Sequence, residues 1–161
     1  MLILHCIGLR QINTEMSDKI IKFEIVTPER VVLKEEILQI TLPTQAGEIT
    51  VLPNHLPLVA TLKPGIIHLK KKDGESEIIS ISGGFIEVLK DKVVILADTA
   101  ERAEEIDLSK AEEAHQRAEE LKQKARDAEQ VNFAEINALI EKELARTKAV
   151  KRWRKLKNIE K

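Results

Sequence analysis

GEITVLPNHLPL at 47–58, KPGII at 63–67, ISGGFIEV at 81–88 and VVILADTAERAEEIDLSKA at 93–111 carry the reading of this chain. Before Asp98 the apolar residues recur at every second position, the period of strands. After Asp107 they recur every third or fourth position in a charged, alanine-rich run, the period of a helix. A compact β module therefore leads directly into a helical arm. Neither half shows a catalytic constellation, so function lies in the partners that the two halves touch.

Upstream of Gly47 the same two-residue period holds. Phe23, Ile25 and Thr27 alternate with Lys22, Glu24 and Val26, and Pro28 closes that segment. Val31 starts a further run; Leu38, Ile40 and Leu42 then share one face until Pro43 ends the strand. Ile49 to Leu52 form a short strand stopped by Pro53-Asn54. Downstream, Lys63-Pro64-Gly65 is a turn, Asp73-Gly74 marks a hairpin, and Lys90-Asp91-Lys92 marks another. Many short strands with turn residues between them predict an antiparallel sandwich or flattened barrel.

Asp107 is a good N-cap, because its carboxylate can accept amide hydrogens of the first helical turn. Leu108, Ala111, Ala114, Ala118, Leu121, Ala125 and Ala128 follow on one face. Asn132 with Glu135 has capping-box spacing and opens a second helix carrying Phe133, Ile136, Ile140 and Leu144. A neighbouring stripe holds Ala145, Ala149, Trp153 and Leu156. The break at Glu129–Val131 predicts an αα-hairpin. The fold class is α+β: an N-terminal antiparallel β-sandwich at 20–101, then a C-terminal two-helix antiparallel hairpin at 102–161, after a leader at 1–19. Met16-Ser17-Asp18 reads as a natural start, and residues 1–15 as an upstream extension or disordered tail. An alanine stripe buries little apolar surface, worth roughly 25 cal/mol per Å². The hairpin is thus marginally held, which suits either a switch or a plain solvated arm.

Composition removes several function classes. Lys and Arg number 26 against 27 for Asp and Glu, so net charge gives no case for nucleic acid or an anionic membrane. Aromatics make up 2%, too few for base-stacking platforms. Cys6 is the only cysteine, which excludes an internal disulfide and reads as an inert small hydrophobe. No apolar run is long enough to cross a bilayer. His5, His55, His68 and His115 lack metal-ligand spacing, Ser82-Gly83-Gly84 is no nucleophile elbow, and there is no phosphate-cradling loop. No catalytic or metal-binding residue is expected. Two rival readings fall behind. A nucleic-acid binder using the basic end and Trp153 would show affinity falling with log salt. A small enzyme on the sandwich would need a polar pocket absent from the pattern.

The four quoted motifs, in this order and followed by a helical hairpin, closely resemble the epsilon subunit of the bacterial F-type ATP synthase. The resemblance covers residues 20 to about 157. It implies a non-catalytic rotor subunit whose sandwich binds the gamma subunit and rests on the polar loops of the membrane c-ring. The family's ring-facing loop matches Thr44–His55, so Glu48 and His55 are the expected ring contacts. The hairpin resembles an element that either folds on the sandwich or extends beside gamma into the catalytic head, opposing ATP hydrolysis. Arg146, Lys148, Lys151, Arg152, Arg154 and Lys155 then form a basic end suited to an acidic segment of the beta (and alpha) subunits. The same cations also complement the helix dipole without any partner.

Some family members bind ATP through an I/L-D-x-x-R-A motif opening the first helix. Here it reads Ile106-Asp107-Leu108-Ser109-Lys110-Ala111, and Arg117 matches a further arginine of that site. Lys110 cannot make the bidentate contact of arginine, so ATP is at most a weak regulatory ligand of Asp107, Lys110 and Arg117. No cofactor is required. The resemblance implies a peripheral protein at the cytoplasmic face of the inner membrane, attached only through the complex, with protons as the commoner coupling ion. A plastid relative would share much of the pattern.

Overall fold

A computed structural model describes residues 19–125 and 132–158. Cys6, the rest of the leader up to Asp18, Ala128 and the expected break at Glu129–Val131 fall outside those residues. The elements run β1 (Ile21–Val26), β2 (Val31–Thr44), β3 (Gly47–Val51), β4 (Leu58–Leu62), β5 (Gly65–Lys71), β6 (Ser76–Ile81), β7 (Gly84–Val88), β8 (Lys92–Ala97), β9 (Ala100–Arg102), α1 (Leu108–Ala125) and α2 (Phe133–Leu156).

One layer of the sandwich follows the path β1–β8–β7–β4, and the other runs β3–β2–β5–β6–β9. The long β2 joins the two, pairing with β1 through its first half and with β3, β5 and β4 through its second. Alternation buries Ile21, Phe23 and Ile25 from β1 and Ile67 and Leu69 from β5. The main core is built by strand side chains alone, without any residue of α1 or α2. It therefore does not depend on the helices.

Four features depart from simple alternation. β2 is one strand rather than two, and it bulges between Ile37 and Gln39. Leu33 and Ile37 face the core before the bulge, whereas Ile40 and Leu42 face it afterwards. Leu38 is only half-buried and does not share their face, because one extra residue reverses the phase. Pro43 lies within β2, its carbonyl accepting from the Lys63 amide at 3.2 Å. The β1–β8 pairing is parallel, and β9 adds a short antiparallel strand to β6. Sequence alternation shows neither, since Ala-Glu-Arg reads as a helix start.

α2 packs on the outer face of β5 and β6, and α1 packs on α2. A second, smaller cluster results: Ile78 of β6, Ala103 and Ile106 of the connection, Ala111 of α1, and Ala149 and Val150 of α2. Ile66, Leu108 and Trp153 close its edges. Asp107 Oδ1 accepts from the Lys110 amide at 3.2 Å, the expected cap. Asn132 Oδ1 accepts from the Glu135 amide at 3.4 Å, and its side-chain amide donates to Glu135 Oε1 at 2.7 Å. The buried face of α2 is broader than its leucines indicate, running through Ile140, Glu143, Ala145, Thr147, Ala149 and Val150. Phe133, Leu144 and Leu156 stay exposed. Small residues such as Ala145 and Ala149 face the sheet, so the helix approaches it closely, while Phe133, Leu144 and Leu156 point away.

Candidate functional site

The outer face of β4, β7 and β8 carries an unusual apolar strip. Register sets Thr61, Phe85 and Leu96 in one row and Val59, Glu87 and Val94 in the next. Ala60, Ile86 and Ile95 point the other way, towards the core. Phe85 is 56% exposed, Leu96 58% and Val59 71%, and Leu56 in the β3–β4 connection reaches 80%. Exposed neighbours of this size in one row mark an interaction surface, whereas isolated exposed leucines need no explanation. The strip lies on the layer that the hairpin leaves uncovered. Strand propensity selects large apolar residues on both faces here, but only one face has a core to fill.

Glu48 and His55 are separated by most of β3. Glu48 is exposed at the start of that strand, opposite Pro43, beside the turn that joins β2 to β3. His55 is half-buried in the turn after β3, where Asn54 adopts φ 62°. His55 Nδ1 lies 2.7 Å from the Leu56 carbonyl, and its amide donates to Leu52 at 3.1 Å. At roughly 3.3 Å per residue along a strand, the two side chains mark two ends of an arm rather than one cluster.

The basic residues of α2 divide into two sets. Arg146 faces inward: its Nε and Nη2 donate to Glu101 Oε2 at 3.2 and 3.0 Å, and its Nη1 donates to Glu143 at 2.8 Å. This pair ties α2 to β9. Burial would lower the Arg146 pKa, but the hydrogen bond to Glu143 and the charge of Glu101 outweigh it and raise it. Lys151 reaches Glu112 of α1 at 3.0 Å, between exposed side chains. Lys148, Arg152, Arg154 and Lys155 are exposed. Asp107 is occupied as a cap, while Lys110 and Arg117 sit seven residues apart on one exposed face of α1.

An ion-pair chain runs beneath the hairpin's edge. Lys71 Nζ contacts Glu35 at 2.8 Å and Glu77 at 2.7 Å, and Arg102 Nε donates to Glu77 at 2.6 Å. Burial pushes the Glu77 carboxyl up, yet hydrogen bonds from Arg102 and Lys71 prevail and hold it below its ordinary value. The chain links β2, β5, β6 and β9 and has the character of a structural brace. Among the described residues, no group of His, Cys, Asp and Glu side chains is arranged to hold a metal ion. Among the described residues, too, no helix is long and apolar enough to cross a membrane.

Residues 20–103 match the family model described as ATP synthase, Delta/Epsilon chain, beta-sandwich domain. The ATP synthase epsilon chain of Dichelobacter nodosus is 52% identical over 97 residues, spanning 60% of this chain and 68% of that one. The epsilon chain of Herpetosiphon aurantiacus is 48% identical over 116 residues, spanning 72% of this chain and 85% of its own length. Among solved structures, a chain of the Euglena gracilis mitochondrial ATP synthase OSCP/F1/c-ring assembly superposes with a TM-score of 0.68 at 27% identity, covering 78% of each chain.

Proposed function

The chain belongs to the delta/epsilon chain family of ATP synthase, and we propose that it anchors the gamma subunit to the c-ring through its sandwich and restrains ATP hydrolysis through its hairpin. It is a non-catalytic subunit of the central stalk. The observation that carries the reading is the division of its two outer faces. One layer is occupied by the docked hairpin, and the other offers the open apolar strip of Val59, Phe85 and Leu96.

The strip supplies a docking face for gamma, since large exposed apolar side chains in adjacent rows gain most by being covered. The arm formed by β2 and β3, with Glu48 near its tip and His55 beyond its base, addresses the polar loops of the ring. Exposed Glu48 would act there through charge complementarity and registration more than through raw affinity.

The hairpin suits a mobile restraint. Its contact with the sandwich relies mainly on alanines and a few larger side chains. Leu121, Phe133, Leu139, Leu144 and Leu156 stay exposed even when it is docked. An extended hairpin could bury these leucines in the catalytic head, with Lys148, Arg154 and Lys155 meeting acidic segments of the beta and alpha subunits. Extension would also free Arg146 from Glu101 of β9, whereas its pair with Glu143 lies within α2 and that of Lys151 with Glu112 lies within the hairpin. ATP would bind weakly at Lys110 and Arg117 and favour the docked form. The complex would hold the chain at the cytoplasmic face of the inner membrane, with protons driving rotation.

The test is binding to a catalytic head that retains gamma but lacks its own epsilon chain. Full-length chain and a version ending at Glu104 are expected to bind with the same stoichiometry, because the strip and the main core lie wholly in the sandwich. A folded but non-binding short version would assign the anchor to the hairpin and overturn this division of labour.

A further inference from the structure

We propose that His68 is a pH-sensitive release for the hairpin: protonating the imidazole beneath α2 weakens its docking on the sandwich. This rests on the reading of the hairpin as a movable element and adds a trigger to it.

His68 belongs to β5, paired with Thr41 of β2 on one side and Ile78 of β6 on the other. Ile78 is covered by the second cluster, and His68 lies beside it, half-buried, on the face of β5 and β6 where α2 packs. Its Nε2 is buried and meets no hydrogen-bond partner among the described residues. A neutral imidazole tolerates this, because one of its ring nitrogens carries no proton and acts as a weak acceptor. The imidazolium does not, because both nitrogens then bear N–H donors and a charge that needs solvation.

The charged groups around the ring sharpen the effect. The charges of Arg152, exposed on α2, and of Glu48, exposed on β3, both reach the ring. β2 and β6 contribute Thr41, Ile78 and Ser80, which do not titrate; along β5, Ile66 and Lys70 share its face. Burial, then Arg152, press the His68 pKa below its ordinary 6.5, and Glu48 opposes them. The sign follows from linkage. The undocked form binds the proton more readily, so docking is undiminished above about pH 6.5 and weakens as pH falls towards the lower docked value. Alkaline conditions hold the hairpin down, and acidification loosens it.

Trp153 gives a direct readout. It is the chain's single tryptophan and is half-buried at the rim of the second cluster. We would follow its emission in the full-length chain from about pH 8 to about pH 5, across the histidine range. The expected result is a reversible red shift with its midpoint below 6.5 in the native sequence, lost in His68→Gln. Arg152→Gln should move the midpoint up, and Glu48→Gln should move it down. An unchanged transition in His68→Gln, or no transition in the native chain, overturns the release. Should His68→Gln fail to fold by circular dichroism, opposite shifts in the two flanking variants are expected, and an unmoved midpoint in both overturns it. Because these readouts use the chain alone, a transition that depends on His68 supports the release even when the hairpin does not slow hydrolysis. The two readings therefore fail separately.

Discussion

Phe85→Asp is expected to abolish assembly with gamma while leaving the chain folded. Phe85 faces outward from β7, directly opposite Leu96, and the core side of that position is filled by Ile86. Replacing it removes no core contact, so the far-ultraviolet circular dichroism spectrum and the urea midpoint should hold. At the centre of an interface, loss of an aromatic anchor costs about 2 kcal/mol or more. An aspartate buried there would be an unpaired charge and would add to that cost. Together they amount to about 3 kcal/mol or more, a fall in affinity of at least roughly 100-fold. Leu121→Asp is the control: Leu121 is similarly exposed, but it lies on α1 and should leave anchoring unchanged. Tight binding by Phe85→Asp would remove the strip from the interface.

Gly84→Ala should unfold the sandwich outright or nearly so. Gly84 opens β7 with φ 127°, paired with Leu62 on one side and Ala97 on the other. A Cβ there would lie 2.8 Å from Ala97 Cα and closer still to the Leu96 carbonyl oxygen. Both obstacles are backbone of the partner strand, so relief requires β7 and β8 to part. The unfavourable dihedral adds roughly 1–2 kcal/mol by itself. A total of about 3 kcal/mol or more is a large part of the 5–15 kcal/mol that stabilises a typical domain. Gly74→Ala is the comparison. Gly74 also has positive φ, 85°, but nothing stands within 4 Å of its added Cβ. It should show only the dihedral cost. Equal urea midpoints for the two variants would mean that the β7–β8 approach is slack.

The sandwich was legible because turn residues punctuate it. Pro64-Gly65, Asp73-Gly74 and Asp91 all fall where strands end, and the four motifs in order carried the family. What alternation could not show was a change of phase. The bulge at Ile37–Gln39 moves the buried set from odd to even positions, and no residue type there announces it. β9 was hidden because its pairing with β6 is long-range while its residues favour helix. The apolar strip did leave a signal. Val59-Ala60, Phe85-Ile86 and Ile95-Leu96 are consecutive apolar pairs within strands, so both faces of those strands had to be apolar. The face of α2 was legible in part: the stripe through Ala145, Ala149 and Trp153 is the side that docks, whereas Phe133 and Leu144 of the neighbouring stripe stay exposed. Its leucines attract attention, but its contact with the sheet uses Ala145, Ala149 and Val150, whose small size permits the close approach. The role of Arg146 likewise depended on the docked geometry, which brings it to Glu101, 45 residues away in sequence.

The central claim is that one chain combines an anchor and a brake, built from separate elements. It is tested most directly by the turnover of ATP in a catalytic head that lacks its own epsilon chain, titrated with the full-length chain and, in parallel, with the chain ending at Glu104. The expected result is saturable slowing by the full-length chain only, with both versions bound. Equal slowing by the two versions would put the brake in the sandwich, and bound full-length chain that leaves turnover unchanged would show that the hairpin is no brake.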